Sequence, residues 1–79
     1  MAVYVHIRKQ KEHDTYVEYS FGASEESSGL LRMDRSSGET TLVSPADNDQ
    51  DDMAFMRASR KLKQHWMRGE LPDVTCWAS

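Results

Sequence analysis

The acidic run from Asp47 to Asp52 has the clearest capacity for chemistry in this chain, because its carboxylates alternate with the amides of Asn48 and Gln50. Alternating oxygen ligands are typical of a calcium-binding loop. Such a loop needs glycine where this chain has Asp52 and a bidentate glutamate where it has Ala58, so the pattern argues against a metal site. Two interpretations remain. The acids stabilise the start of a helix, or they form an anionic patch that occupies a basic groove on a target.

The histidines and the cysteine are the other candidates for catalysis or metal binding. No two of His6, His13, His65 and Cys76 have the HxxxH or CxxC spacing of a metal site. His65 and Cys76 would meet as a thiolate–imidazole pair if the C-terminal tail folds back, but no third residue is evident to orient them. We expect Cys76 to be a small buried apolar residue. We therefore predict that the protein is not an enzyme and binds no cofactor and no metal.

The basic residues between Ser44 and Gly69 follow the acidic run along the chain instead of mixing with it. That order suits the helix dipole, so stabilisation alone would explain it. Three methionines lie among the basic residues, and flexible thioethers beside positive charge suit contact with a protein partner. Alternatively, the methionines border the apolar stripe and the charges only keep the helix soluble. The predicted partner-binding residues are Asp47, Asp49, Asp51, Asp52, Met56, Arg60, Lys63 and Met67.

A second candidate surface lies on the first two predicted strands. By alternation, Tyr4 and His6 point to the opposite face from the core, as do Tyr16 and Glu18. An open sheet face with two tyrosines suits a protein partner or stacked bases. The alternative interpretation is that these tyrosines are ordinary cross-strand neighbours.

Length and composition limit what such residues can do. The chain has 79 residues, 38% of them hydrophobic and 29% charged, with a net charge of −3. These values predict one folded domain over residues 1–79 and argue against a generic nucleic-acid binder. One cysteine allows no internal disulfide, which favours the reducing cytoplasm. The N-terminus lacks the pattern of a signal peptide, and no apolar run is long enough to span a membrane.

Hydrophobic periodicity predicts the elements that position these residues. Period-two alternation predicts strands at about 2–9, 15–21, 29–35 and 39–43, and a 3.6-residue period predicts a helix at about 46–68. Ser44 before Pro45 is one candidate helix cap, Asn48 or Asp49 is another, and Gly69 is a natural stop. The tail at 70–79 is expected to fold back, as a short edge strand or as a lid over the helix end.

These elements predict an α+β fold, a four-stranded antiparallel β-meander in the order 1-2-3-4 with one C-terminal α-helix packed on one face. The expected core consists of the inward-facing strand residues and the apolar stripe of the helix. It comprises Val3, Val5, Ile7, Val17, Tyr19, Phe21, Leu31, Met33, Leu42, Phe55, Leu62 and Trp66.

The resulting functional prediction is a small protein-binding module that acts by occupying a target. Size and composition suggest the type of an immunity protein, an antitoxin or a phage anti-defence inhibitor, although no family motif supports this. The alternative is a small nucleic-acid-binding or regulatory protein that uses the basic helix face. Neither prediction involves a membrane.

Overall fold

The computed structural model describes residues 4–24, 28–47 and 49–78. All five of its strands belong to one antiparallel sheet, in the order β4-β3-β2-β1-β5. The α+β class is confirmed, but the sheet has five strands rather than four, because the tail adds a strand beside β1. The elements are β1 (Tyr4–Glu12), β2 (Tyr16–Gly22), β3 (Gly29–Asp34), β4 (Thr40–Ser44), α1 (Met53–Met67) and β5 (Val74–Ala78).

The tail is therefore an edge strand and not a lid. In the pairing of β5 with β1, Thr75 lies opposite Ile7 and Trp77 lies opposite Val5. Both tail residues consequently share the face on which Val5 and Ile7 are buried. The segment leading into β5 is anchored as well, since the hydroxyl of Tyr19 donates a hydrogen bond of 2.8 Å to the carbonyl of Pro72.

The helix begins at Met53, not near residue 46 as predicted. Asp51 and Asp52 have φ angles of 57° and 55°, and two left-handed residues in succession cannot continue a right-handed helix. The first turn is capped by Asp49, whose carboxylate accepts hydrogen bonds from the backbone N–H of Ala54 (2.7 Å) and Phe55 (3.2 Å). Asp49, one of the two residues that the sequence offered for a later cap, therefore does cap the helix. It lies three residues before Asp52, the residue that directly precedes the helix.

The helix ends as predicted at Gly69, which has a φ of 77°. The N–H of Gly69 donates to the carbonyl of Trp66, and the N–H of Glu70 donates to the carbonyl of His65. This pair of hydrogen bonds is a Schellman motif, and it turns the chain back toward the sheet. Because of this motif, the side chain of Glu70 lies close to that of His65.

We call the sheet face covered by α1 the inner face and the opposite one the outer face. On the inner face, Ala58 and Leu62 of the helix are fully buried against the sheet. Phe55, Trp66, Leu42 and Trp77 are partly buried around this centre, and Val3 of the predicted core lies outside the described residues. The predicted core is otherwise confirmed in its centre: Val5, Ile7, Val17, Tyr19, Phe21, Leu31, Met33 and Leu62.

Candidate functional site

A cavity of about 280 Å³ opens between the N-terminal half of α1 and the edge strand β5. We call it the α1–β5 groove. Its walls combine thioether, guanidinium and indole groups, so it offers both apolar surface and positive charge. The lining residues are Met53, Met56, Arg57, Arg60 and Trp77.

Helical spacing brings four of these residues together. Met53, Met56, Arg57 and Arg60 follow one another at i, i+3, i+4 and i+7, which is one face of a helix. Trp77 completes the groove from the sheet, because strand alternation places it on the inner face. The site therefore depends on two consecutive elements of the chain, α1 and β5, and on the pairing of β5 with β1 that places Trp77 on the inner face.

The groove carries positive charge that the chain itself does not neutralise. Within the part of the chain that the structure describes, neither Arg57 nor Arg60 forms an ion pair with a carboxylate. The guanidinium of Arg60 lies 5.9 Å from the centroid of the Trp77 ring, a cation–π contact that holds the side chain at the groove wall. Two adjacent unpaired guanidinium groups favour a ligand with a carboxylate or another planar anion.

The apolar part of the groove is unusually accessible. Met53 and Met56 are 42% and 56% exposed. The indole nitrogen of Trp77 is buried and has no hydrogen-bond partner among the described residues. The exposed thioethers can therefore contact an apolar group that enters the groove, whereas the buried indole nitrogen is not accessible to it.

Beside the groove, β5 presents the backbone groups of a sheet edge. The N–H of Lys9 donates to the carbonyl of Asp73 at 2.8 Å, which sets the alternation of the β1–β5 ladder. Thr75 and Trp77 therefore direct their N–H and C=O groups to β1. The N–H and C=O groups of Val74, Cys76 and Ala78 point away from the sheet, and no strand among the described residues pairs with them.

The opposite end of the helix is closed by a hydrogen-bonded chain. The Nε2 atom of His65 lies 3.0 Å from the hydroxyl of Thr75, and its Nδ1 atom lies 3.0 Å from the carboxylate of Glu70. The hydrogen bond from His65 lowers the pKa of Glu70. This chain ties the C-terminal end of α1 to β5, so the groove is bounded at that end.

The anticipated meeting of His65 and Cys76 does not occur. Cys76 lies opposite His6 in the β1–β5 register, and both belong to the outer face, whereas His65 lies above the inner face. The neighbouring residue Thr75 points to the inner face and contacts His65 instead. Cys76 is also only partly buried, not the buried apolar residue that we expected.

The predicted acidic residues lie before the helix and do not line the groove. Asp47, Asp51 and Asp52 are exposed, while Asp49 is half-buried and engaged with the first turn of α1. The capping interpretation therefore describes Asp49, and the other three carboxylates remain available on the surface.

The predicted basic and methionine residues are divided between different sides of the helix. Met56 and Arg60 line the groove. Lys63 lies on the other side, where its ammonium donates to the carbonyl of Ser37 at 3.3 Å and lies 5.1 Å from the centroid of the Trp66 ring. Met67 is 72% exposed at the end of α1 and does not line the groove. These four residues therefore do not form one surface.

The alternative sheet-face residues do not form one site either. In an antiparallel hairpin the start of β1 lies beside the end of β2, so His6 pairs with Gly22 while Tyr16 lies beside the far end of β1. Along the strands, Tyr4 and His6 are consequently separated from Tyr16 and Glu18 by about four to eight residue steps, or roughly 14 to 27 Å. Alternation in the sequence shows that these four side chains share one face of the sheet, but it does not show the direction of the strands that separates them.

Tyr16 is already occupied by its own neighbours. Its ring stacks on His13 with a centroid distance of 4.7 Å, and the guanidinium of Arg32 lies 4.1 Å from its centroid. The ammonium of Lys11 also lies 5.7 Å from this centroid. Arg32 also forms a salt bridge of 2.7 Å with Glu18. These contacts leave little of Tyr16 for stacking with a base.

Comparisons with protein-family models, with curated proteins and with solved structures find no match.

Two further observations concern other kinds of site. Among residues 4–24, 28–47 and 49–78, no helix has the length and apolar character needed to cross a membrane. Within the same ranges, no cluster of three or more histidine, cysteine or acidic side chains could hold a metal ion.

The predicted partner-binding residues leave out three of the five groove residues, although Met53 is one of the three methionines noted among the basic residues of the helix and Arg57 is one of those basic residues. Met53 and Arg57 carried a usable signal, because they precede Met56 and Arg60 by one helical step each. Trp77 carried a weaker one: its alternation with Thr75 indicates a strand, but nothing in the sequence shows beside which strand it lies.

Proposed function

We propose that this protein is a small protein-binding module that acts by occupying a target, and that it uses the α1–β5 groove as its contact surface. The observation that carries the proposal is the pair of arginines, Arg57 and Arg60, that have no ionic partner in the described part of the chain and lie beside two exposed methionines. A protein surface with these components can bind carboxylate and apolar groups together. A protein partner can present a carboxylate and an apolar group together within the width of one groove, and few other kinds of ligand can.

The energetic reasons favour contact with a protein. Arginine, methionine and tryptophan are enriched at protein interfaces, and central arginine and aromatic residues contribute most of the binding energy there. Thioethers adapt to an irregular partner at little cost in strain. The groove is positive although the chain carries a net charge of −3, so its charge is a local property that steers a partner to this surface.

The exposed acids give the module a second electrostatic pole. Asp47, Asp51 and Asp52 precede the helix whose next two turns carry Arg57 and Arg60. Opposite charges at separate positions orient a partner during association. Occupation of a target by such a surface is the mode of action that we proposed for an immunity protein, an antitoxin or an anti-defence inhibitor, and this narrower assignment remains a prediction.

The alternative, a nucleic-acid-binding protein, receives less support. A basic strip that follows a phosphate backbone needs its charges on one continuous surface. Here Arg57 and Arg60 border β5, whereas Lys63 contacts the turn between β3 and β4. The ring of Tyr16, which an aromatic contact with a base would need, already packs against His13 and Arg32.

Charge reversal tests this proposal. The double variant Arg57→Glu/Arg60→Glu reverses the groove, and Arg68→Glu reverses an exposed charge outside it. A partner is recovered by crosslinking in the source cell, and its affinity for the parent and both variants is measured at several salt concentrations. We expect the double variant to lose affinity, mainly through a slower association rate, and Arg68→Glu to keep it.

Duplex DNA and single-stranded RNA are measured in parallel. Submicromolar binding to either one, with a steep dependence on salt and with no protein recovered, would refute the proposal in favour of the nucleic-acid alternative.

A further inference from the structure

We propose that the segment of the partner that enters the groove is an extended acidic strand, which pairs with the free edge of β5 and directs its carboxylates toward Arg57 and Arg60. This inference rests on the proposed protein-binding function and specifies the chemistry of the partner. It makes the partner segment a sixth strand of the sheet.

The backbone of β5 provides the first argument. Val74, Cys76 and Ala78 direct their N–H and C=O groups outward, at the regular spacing that an added strand requires. An exposed row of such groups is a template for strand addition, in which main-chain hydrogen bonds supply affinity and side-chain pockets supply specificity. The described residues contain no element that covers this edge.

The side chains beside the edge provide the second argument. An added strand would lie about 4.8 Å from β5, so its inward-facing side chains would enter the groove next to Trp77. There the guanidinium groups of Arg57 and Arg60 favour carboxylates, and the methionines favour the methylene stems that carry them. On the outer face, the strand would contact Val74, which is 62% exposed. An alternation of acidic and β-branched residues therefore fits both faces.

The other edge of the sheet is less suitable. The pairing of β4 with β3 has an irregular register between Leu30 and Leu31, and such bulges discourage pairing at an edge. The neighbouring side of the helix is closed, since the hydroxyl of Thr40 donates to that of Ser59 at 2.9 Å. No residue of β4 lines the α1–β5 groove.

A second copy of this chain fits the edge poorly. A two-fold pairing of β5 with its copy around Cys76 would bring the two grooves within about 10 Å of each other. Four guanidinium groups would then face one another without carboxylates between them. Charge complementarity thus favours an acidic partner over self-association.

The first test uses a fluorescent ten-residue peptide that alternates glutamate and valine, with a lysine–valine peptide as the charge-reversed control. Anisotropy titration gives the affinities, and amide NMR spectra give the location. We expect the glutamate peptide to bind at least about tenfold more tightly than the lysine peptide. We also expect the amides of Val74, Cys76 and Ala78 to shift most. If the parent protein does not bind the glutamate peptide, the inference is wrong.

The second test removes one outward N–H from the edge. Cys76→Pro deletes that donor but leaves the β1 ladder intact, because Thr75 and Trp77 make those hydrogen bonds. Cys76→Ala is the matched control, since it removes the thiol and keeps the N–H. We expect the proline variant to bind the glutamate peptide about tenfold more weakly and the alanine variant to bind it like the parent.

A third measurement keeps the test decisive if Cys76→Pro does not fold. The glutamate peptide is N-methylated at alternate residues, on one edge in one version and on the other edge in a second. Strand pairing predicts that only one version loses binding. Equal binding of both versions, or unchanged binding to a folded Cys76→Pro, would overturn strand addition.

These outcomes separate the inference from the function on which it rests. A recovered partner whose affinity depends on Arg57 and Arg60 but not on the edge N–H of Cys76 leaves the protein-binding proposal in place and refutes the sixth strand. The absence of any protein partner, together with nucleic-acid binding, refutes both.

Discussion

The two long sides of α1 meet the sheet in different ways. On the side of β3 and β4, polar contacts close the interface: Ser59 accepts from Thr40 at 2.9 Å, and the indole of Trp66 donates to the carbonyl of Arg35 at 2.8 Å. On the side of β5, the only hydrogen bond between side chains of α1 and β5 in the described residues is that of His65 with Thr75. The remainder of that side is the α1–β5 groove.

This difference separates stability from binding within one small helix. A closed side stabilises the fold because its polar groups are satisfied and its aromatic ring is packed. An open side has charge that no carboxylate among the described residues neutralises, together with exposed thioethers, and a ligand can contact both. Substitutions on the closed side should therefore lower stability, and substitutions on the open side should affect binding.

The largest effect is expected at Leu62, which lies beneath both sides of the helix and is almost fully buried. Leu62→Ala should lower the free energy of unfolding by about 2–5 kcal/mol through the cavity that it leaves. Urea denaturation measures this change. Met67→Ala, at an exposed position of the same helix, is the control and should change stability by no more than about 0.5 kcal/mol. If Leu62→Ala and the parent were equally stable, Leu62 would not pack between α1 and the sheet.

A glycine pair isolates the packing on the closed side. Gly38 and Gly69 have nearly the same φ, 75° and 77°. A Cβ atom at Gly38 would lie 2.7 Å from the ring of Trp66, whereas a Cβ at Gly69 meets nothing within 4 Å. Gly69→Ala should therefore cost about 1–2 kcal/mol from the backbone alone, and Gly38→Ala should exceed it by about 1–3 kcal/mol. Equal costs in thermal unfolding would show that Trp66 moves aside freely.

The hydrogen bond of Tyr19 links the core to the segment that leads into β5. Tyr19→Phe should cost about 1 kcal/mol, because the hydroxyl donates to the carbonyl of Pro72. Burial also raises the pKa of Tyr19 to about 12, above the usual value of 10.0. The folded state then keeps its phenolic proton at a pH where the unfolded state loses it.

The sign of this linkage defines a pH window. The contribution of Tyr19 is fully present below pH 10 and declines as the pH rises from about 10 to about 12. Denaturation of the parent and of Tyr19→Phe at pH 8 and pH 11 should show a smaller difference between them at pH 11. A difference that does not change with pH would mean that the phenol of Tyr19 titrates alike in both states.

The smallest effects are expected from a direct comparison of the closed and open sides of α1. Ser59→Ala leaves the hydroxyl of Thr40 without its partner and should cost about 0.5–1.5 kcal/mol. Arg57→Ala removes a groove residue that forms no ion pair within residues 4–24, 28–47 and 49–78, and it should stay within about 0.5 kcal/mol of the parent. The two variants are compared by chemical denaturation under one set of conditions. If Arg57→Ala is the more destabilising of the two, the open side contributes to stability and the proposed division fails.

Local patterns predicted most of the fold. Alternation in Val5 and Ile7, and again in Val17, Tyr19 and Phe21, is enough to identify two strands and the face that each one buries. The start of the helix was not predictable in the same way, since Asp51 and Asp52 have residue types that suit a first helical turn but have left-handed backbone angles. Aspartate tolerates both conformations, so its presence does not decide between them.

The candidate site was predictable only in part. Arg60 and Met56 followed from the helical period, which a sequence displays directly. Lys63 was grouped with them although it turns toward Ser37, because a sequence shows which residues avoid the apolar stripe but not toward which strand each one leans. Tyr4 and Tyr16 were grouped by parity, and only the strand direction separated them.

By itself, the sequence determined the α+β class, the buried centre of the sheet and the end of the helix at Gly69, because these depend on residue period and on local backbone preference. The tertiary structure alone decided that β5 pairs with β1, that Trp77 therefore meets Arg60, and that His65 meets Thr75 rather than Cys76. The pairing of β5 with β1 joins residues distant in the chain, and the other two contacts follow from it, because strand order and register set which side chains of β5 face α1. A register change of one residue would move Trp77 to the other face of the sheet and remove the groove.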